Sequence, residues 1–193
     1  MSWFHFIAFF LAAAVFSTPA ARAEERTLVK SVRIDAPLAA VWAAWTTPAG
    51  LKAFLKIDAA IDLRVGGKYE LYFGPPATAP QRGGEGCTVL SYVPQRMLSF
   101  NWNIPPAFPS LRALGPTTFI VLEFSPHDDN STDLRFTHLG WQEGEAWDAA
   151  YVYFNQTWTI LLRTLQQSFT PASPPTTAPP PASPPTAPPP AAR

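Results

Sequence analysis

Residues 145–169, EAWDAAYVYFNQTWTILLRTLQQSF, decide the fold of this chain. No glycine or proline interrupts the stretch, and large apolar side chains recur every three or four residues at Trp147, Tyr151, Phe154, Trp158, Leu161 and Leu165. This spacing places one apolar stripe along an α-helix. The helix would be about 38 Å long at 1.5 Å per residue, and Pro171 ends it. An aromatic stripe of that length is buried best across a curved β-sheet.

The residues before this helix predict such a sheet. Patterns typical of strands lie at 27–35, 61–73, 86–93, 97–102, 117–124 and 132–139. Short turns join most of them, which favours antiparallel pairing, and Gly66-Gly67 predicts a two-residue hairpin turn. After the first strand, Pro37 and Pro48 mark the starts of two short helices. The sequence therefore predicts an α+β, helix-grip fold, in which a curved antiparallel sheet of six to seven strands wraps around the long C-terminal helix.

Composition divides the 193 residues into three parts. An apolar run of 11 residues at 6–16 is too short for a bilayer span of about 20, and a small-x-small site follows at Ala21 to Ala23. We expect residues 1–23 to be a cleaved signal peptide, with an uncleaved membrane anchor as the alternative. Residues 170–193 hold 11 prolines and one charge, which predicts a disordered proline-rich tail. The folded domain is then 24–169, exported to the periplasm or the cell exterior.

Charge and cysteine content exclude several classes of function. Fourteen basic and 14 acidic residues leave no net charge, which argues against nucleic-acid binding. One cysteine, Cys87, rules out a disulfide framework and is expected to be a buried, inert thiol. The histidines lack metal-ligand spacing, and no Gly-x-Ser-x-Gly or phosphate-binding loop is present. We therefore expect no metal and no cofactor.

Several motifs, in order along the chain, resemble one protein family. Ile34-Asp35-Ala36-Pro37 with Val41-Trp42 resembles the opening of the START-like (SRPBCC) superfamily. The remaining motifs resemble the activator of heat-shock-protein ATPase homologue family within it: Val65-Gly66-Gly67-Lys68-Tyr69, Gly86 with Val89-Leu90, 94–102, and 134–138 with Gly140-Trp141. The resemblance covers about residues 27–168. Two features depart from it: Thr157 stands where the family usually has glycine, and 103–116 is longer than the usual turn.

The resemblance implies a function in broad terms. The superfamily fold often encloses an apolar cavity between sheet and helix, and members bind lipids, polyketides, hormones or hydrophobic metabolites, while some are cyclases. The family's chaperone is cytosolic, so an exported member would meet neither it nor ATP. We therefore expect a non-catalytic domain that binds a small hydrophobic molecule. The alternatives are a cyclase- or aldolase-like enzyme that uses the same cavity, and a protein-interaction module in which the sheet or the proline-rich tail binds an envelope partner.

Nine side chains are candidates to bind the ligand. They share aromatic character and positions on predicted inward faces, and they are Trp45, Phe54, Tyr69, Phe100, Trp102, Phe136, His138, Tyr151 and Trp158. They either line a pocket or fill a core. His138, which shares a strand face with Leu134 and Phe136, is the one candidate general base, or else a core histidine. Apolar side chains on the proline-rich segment 103–116 suggest a lid; a plain surface loop is the alternative.

Overall fold

The structure is a computed structural model, and it describes residues 25–73, 82–127 and 130–170. The predicted signal peptide, and the predicted tail after Thr170, lie outside the described residues. Seven strands and four helices follow along the described chain: β1 Leu28–Ile34, α1 Leu38–Thr46, α2 Pro48–Leu55, β2 Asp58–Ile61, β3 Tyr69–Tyr72, β4 Val89–Val93, β5 Met97–Trp102, α3 Pro109–Arg112, β6 Thr118–Pro126, β7 Thr132–Leu139 and α4 Glu145–Phe169. This order confirms the predicted α+β architecture.

Five of the strands form one antiparallel sheet in the order β1-β7-β6-β5-β4. Its centre is the β6–β7 pair, where Leu122 lies opposite Phe136 and Ile120 opposite His138. Alternate residues of β7 are buried, as expected for a strand with one face on the core. The buried face of β7 is made by Thr132, Leu134, Phe136 and His138.

The remaining strands, β2 and β3, form a separate antiparallel pair in which Ile61 lies opposite Tyr69. Isolated bridges from Lys68 to Thr88 and from Tyr72 to Gly83 connect this pair to the chain before β4. The predicted two-residue turn at Gly66-Gly67 is wrong, because residues 62–68 all separate the strands. The turn is longer because it forms hydrogen bonds with β4. Gly66 N donates to the Val89 carbonyl at 2.8 Å, and Val89 N donates to the Gly67 carbonyl at 2.9 Å.

The two short helices meet at a close backbone contact. Thr47 caps α2 through its hydroxyl, which accepts from the Gly50 amide at 3.0 Å. Gly50 lies so near α1 that a Cβ atom there would be 2.2 Å from the Ala43 carbonyl oxygen. Glycine at this position therefore allows α2 to pack against α1.

The long helix α4 lies across the buried face of the sheet, as the sequence predicts. Its buried side chains are Trp147, Ala150, Phe154, Trp158, Leu161, Leu162 and Leu165. Polar contacts fix it beside β1, where Lys30 Nζ donates to Asn155 Oδ1 at 2.8 Å and Gln166 Nε2 to the Arg33 carbonyl at 2.8 Å. Within the described ranges, no helix combines the length and the apolar character that a membrane crossing requires.

Candidate functional site

An apolar cavity of about 460 Å³ lies beside α4, at the end of β5. Its volume falls within the roughly 300–1,000 Å³ typical of small-molecule sites. Helix α4 forms one wall, the ends of β3 and β5 form the other, and residues 103–107 form part of the rim. Among the described residues, the lining consists of Phe73, Arg82, Gly83, Trp102, Asn103, Pro105, Pro106, Ala107, Tyr153, Phe154, Thr157, Trp158 and Leu161.

Arg112 ties together the two segments that border the cavity mouth. Its guanidinium donates to the Gly83 carbonyl at 2.6 Å, to the Ile104 carbonyl at 3.0 Å and to Glu85 Oε2 at 2.8 Å. Gly83 belongs to the segment before β4, whereas Ile104 follows β5. The Arg112 side chain is only 8% exposed. One buried guanidinium therefore holds both sides of the mouth in place.

The carboxylate of Glu85 is ionised at neutral pH, and both of its oxygens accept hydrogen bonds in this arrangement. Besides Arg112, its carboxylate accepts from the backbone N–H of Gly83 at 2.9 Å and from that of Arg82. Burial alone would raise the pKa of Glu85, but these hydrogen bonds outweigh it and hold the pKa below its usual value.

The candidate lid, residues 103–116, covers apolar surface next to the cavity. Ile104 and Leu111 are buried, and the Phe108 ring meets Tyr153 of α4 edge-on, with ring centroids 5.7 Å apart. Leu114, by contrast, is 55% exposed. The segment thus contacts α4 through Phe108 and borders the cavity through Pro105, Pro106 and Ala107.

Seven of the nine predicted ligand-binding residues form one continuous series of ring contacts. Neighbouring centroids are between 3.9 and 6.4 Å apart. In order of contact the series is Phe54, Trp45, Phe136, Trp158, Trp102, Phe100 and Tyr69. All seven are buried. The series fills the space between sheet and helix, and two of its members, Trp102 and Trp158, also form part of the cavity wall.

His138 lies in the core behind that wall. Trp158 Nε1 donates to His138 Nδ1 at 2.9 Å, so the neutral ring carries its proton on Nε2. Nε2 is buried and has no hydrogen-bond partner among the described residues. The rings of Trp141 and Phe154 lie 4.4 and 5.0 Å away. Burial lowers the pKa of His138 to about 3, so the side chain is uncharged at neutral pH.

Tyr151, the remaining predicted residue, lies at the edge of the domain. Its hydroxyl donates to the Thr27 carbonyl at 3.1 Å, and the guanidinium carbon of Arg26 is 3.8 Å from its ring centroid. Its ring also contacts Trp141, at a centroid distance of 5.1 Å. This tyrosine therefore joins α4 to the start of β1, at a distance from the cavity lining.

Most residues of the cavity lining were not among the sequence candidates. Phe73, Arg82 and Gly83 lie on either side of the sequence 74–81, where no periodic pattern indicates which way a side chain points. Tyr153 lies next to the apolar stripe of α4, and the helical periodicity places its side chain on the solvent side. The structure agrees in part, since this side chain is 40% exposed. A usable signal was present at two places: the departure at Thr157, and the long proline-rich segment that supplies Pro105 and Pro106.

The described residues contain no group of three or more His, Cys, Asp or Glu side chains placed to hold a metal ion. Cys87 is buried, as predicted, and burial raises the pKa of its thiol to about 12. A thiol with that pKa is protonated at neutral pH and is a poor nucleophile.

An antiparallel sheet closed over one long C-terminal helix, with a cavity beside that helix, defines the START-like class. The sequence profile described as "Activator of Hsp90 ATPase homolog 1-like protein" matches residues 35–170. The chain therefore belongs to this family, which confirms the resemblance seen in its motifs. Comparison with curated protein sequences gives no match.

Solved structures agree with this assignment at the level of the fold. Protein MLL2253 from Mesorhizobium loti superposes with a TM-score of 0.56 at 22% identity, over 74% of this chain and 96% of its own. The Aha1 dimer from Colwellia psychrerythraea gives 0.56 at 23% identity, covering 75% and 96%. An HSP90 activator from Plasmodium falciparum gives 0.55 at 17%, covering 73% and 94%. At these identities the likeness shows the fold alone.

Proposed function

We propose that this chain is an exported START-like domain that binds a small hydrophobic ligand in the cavity beside α4 and does not itself catalyse a reaction. Its family and fold suggest a ligand-binding or chaperone-activator domain, with a small molecule or a protein as partner. The observation that carries the choice is the apolar cavity of about 460 Å³. Export rests on the sequence pattern of residues 1–23.

The chemistry of the cavity wall supports a hydrophobic ligand. Trp102 of β5 and Trp158 of α4, whose rings contact each other, both present aromatic surface to the cavity, and Leu161 and Phe154 extend the apolar surface along α4. Removing such surface from water contributes about 25 cal/mol per Å². The hydroxyl of Thr157 already donates to the Tyr153 carbonyl at 2.9 Å, and the amide of Asn103 donates to the Glu85 carbonyl. One donor of each side chain is therefore engaged within the protein, and the apolar lining supplies most of the binding energy.

The enzyme alternative has less support from the geometry. His138, its general base, is buried behind the cavity wall and is not part of the lining. Its hydrogen-bond partner is an indole N–H of Trp158, and among the described residues no ionisable side chain bonds to it. A base working on a bound ligand must reach the proton that it removes. The envelope-partner alternative assigns binding to the sheet or to the tail, and the tail after Thr170 lies outside the described residues.

A matched pair of cavity and control variants tests binding. Thr157 lines the cavity and Thr159 lies outside it, and both hydroxyls donate one turn back along α4. The uncharged fluorophore N-phenyl-1-naphthylamine should bind the full-length chain and the Thr159→Trp variant alike. Thr157→Trp should reduce the affinity at least tenfold, because the indole occupies the cavity. Equal binding by both variants would place the probe elsewhere and count against the proposal.

Nuclear magnetic resonance locates the bound probe independently. Indole N–H resonances are few, since the chain has seven tryptophans. On titration with the fluorophore, the Trp102 and Trp158 resonances should move most, because these two rings line the cavity. A larger shift at an exposed or distant indole would contradict the site. Export is tested by the mass of protein from the cell envelope, which should begin at Glu24.

A further inference from the structure

We infer that the ligand carries a hydroxyl group, which donates a hydrogen bond to Asn103 Oδ1 at the rim of the cavity while the apolar body of the ligand lies along α4. The inference rests on the proposed function, because it assigns the chemistry of a ligand for the same cavity. It adds a polar group and a place for it, which the apolar walls alone do not give.

Asn103 places a largely buried amide in the cavity lining. It follows the last residue of β5, lines the cavity and is only 5% exposed. Helix α4 contributes Phe154, Trp158 and Leu161 to the same lining. A ligand packed against these apolar side chains removes the Asn103 amide from water almost completely. The hydrogen bonds that this amide then makes decide which ligands bind well.

One hydrogen bond fixes the orientation of the Asn103 amide. Its Nδ2 donates to the backbone carbonyl of Glu85, and a carbonyl oxygen can only accept. Rotating the amide by half a turn would place Oδ1 against that carbonyl, where two acceptors repel each other. Glu85 is itself held by Arg112 at 2.8 Å, so the carbonyl that orients the amide is well anchored. Asn103 Oδ1 is therefore turned away from Glu85.

The Asn103 oxygen is the half of the amide that the protein does not use. Among the described residues, no donor bonds to Asn103 Oδ1. A ligand without a donor would cover this oxygen and leave it unpaired, which lowers the affinity, whereas a ligand O–H would supply the missing partner. Sites that bury such a group discriminate strongly against analogues that lack the matching one.

Rim groups that would donate to a ligand oxygen are absent or engaged. Pro105 and Pro106 line the cavity but have no N–H. The Gly83 N–H donates to the Glu85 carboxylate at 2.9 Å. Arg82 donates to a backbone carbonyl at 3.4 Å and has a further interaction, so it is already engaged. The rim is therefore better suited to a ligand that donates than to one that only accepts.

A hydroxyl fits this place better than a charged group does. An ammonium also donates, but the described lining contains no aspartate or glutamate, and burying an unpaired charge is costly. An ionised carboxylate has only acceptors, so it would face Asn103 Oδ1 with repulsion. A hydroxyl donates one hydrogen bond and carries no charge. An uncharged, largely apolar alcohol is therefore the class of ligand that the lining selects.

Two isomers, 1-decanol and 1-methoxynonane, test this inference. Both have the same atoms and an oxygen that accepts, but only the alcohol donates. Each is titrated at pH 7, below its solubility limit, against the full-length chain loaded with N-phenyl-1-naphthylamine. The alcohol should displace the fluorophore at about three- to tenfold lower concentration than the ether, the range expected for one neutral hydrogen bond. Transfer into an apolar site alone would favour the ether. Decanoate and decylamine should both compete less well than 1-decanol.

A matched pair of variants separates the role of Asn103 from its structural hydrogen bond. Asn103→Leu keeps the approximate shape and should abolish the preference for the alcohol. Asn101→Leu is the control: this side chain also bonds to the backbone, accepting from Thr88 N at 2.6 Å, but it is not part of the cavity lining. It should keep the preference. In the wild type, the Asn103 side-chain amide resonances should shift more with 1-decanol than with the ether, a readout that needs no variant to fold.

The outcomes distinguish the two proposals. Displacement by the alcohol and the ether at equal concentrations, or stronger displacement by decanoate, would overturn the hydroxyl inference and leave the binding proposal standing. A preference that survives in Asn103→Leu, or that Asn101→Leu also loses, would overturn the role of Asn103. If neither the fluorophore nor any of these ligands binds, the proposed function itself fails, and the inference fails with it.

Discussion

The buried histidine should make the stability of this domain depend on pH well above the range where carboxylates titrate. Folding moves His138 from water, where its pKa is 6.5, to a site where burial lowers the pKa to about 3. Between these two values the unfolded chain binds a proton that the folded chain does not. Stability is therefore complete above about pH 6.5 and is lost as the pH falls toward 3.

The size of the effect follows from those two pKa values. The slope approaches 1.4 kcal/mol per pH unit once the unfolded histidine is protonated. Integrated from pH 7 to pH 5, the folded state loses about 2 kcal/mol. Glu70 and Glu85, whose pKa values folding lowers, add losses of the same sign mainly as the pH falls through their unfolded pKa of 4.5. The histidine therefore dominates the window from pH 5 to pH 7.

Urea unfolding at pH 7, 6 and 5, followed by tryptophan fluorescence, measures this loss. The wild type should lose about 2 kcal/mol. His138→Gln should lose less than about 0.5 kcal/mol, because no buried group then resists protonation. A pH titration of the histidine ring resonances by nuclear magnetic resonance measures the pKa of His138 in the wild type, and so does not require the variant to fold. If His138 titrates near pH 6.5 in the native protein, the reasoning is refuted.

Three further changes probe the packing. Trp158→Ala should lower the free energy of unfolding by about 3 kcal/mol, the low end of the range for a buried tryptophan, because part of the ring lines the cavity. Denaturant unfolding should show this loss, and titration with N-phenyl-1-naphthylamine should show weaker binding. Arg112→Met should cost about 2 kcal/mol by removing one of the donors to Glu85 and the Arg112 hydrogen bonds to the Gly83 and Ile104 carbonyls. Stopped-flow fluorescence should show faster probe release; an unchanged release rate would mean that Arg112 does not hold the mouth. Gly50→Ala should cost about 1–3 kcal/mol, because the new methyl group overlaps the Ala43 carbonyl; a melting temperature equal to that of the wild type would reject this contact.

Patterns in the sequence predicted correctly those elements that are determined by residues close together in the chain. The helix 145–169 was found with the predicted bounds, since an uninterrupted apolar stripe and a following proline are properties of the segment itself. The β2–β3 turn was not, because its length depends on hydrogen bonds between Gly66 and Val89, which lie far apart in sequence. A glycine pair indicates where the chain can turn, and a tertiary contact decides how many residues the turn takes.

The candidate site shows the same limit more sharply. Aromatic residues on inward faces, such as Phe136 and Tyr69, were correctly expected to be buried together, but burial does not distinguish a filled core from a cavity wall. The difference lies in shape, and here the shape depends on the segments around Gly83 and Ile104, which Arg112 joins. No periodic pattern in the sequence predicts that Arg112 joins these two segments.

The two departures from the family pattern give the cavity its individual character. Thr157 replaces the usual glycine on the helical wall, where its side chain enters space that a glycine would leave open, and the lengthened 103–116 segment supplies Pro105, Pro106 and Ala107 to the rim. Both departures border the cavity, whereas the motifs that match the family contribute only Trp102 to its described lining. A relative's ligand is therefore a poor guide to this one. The chemistry of its own, largely apolar lining is the better guide.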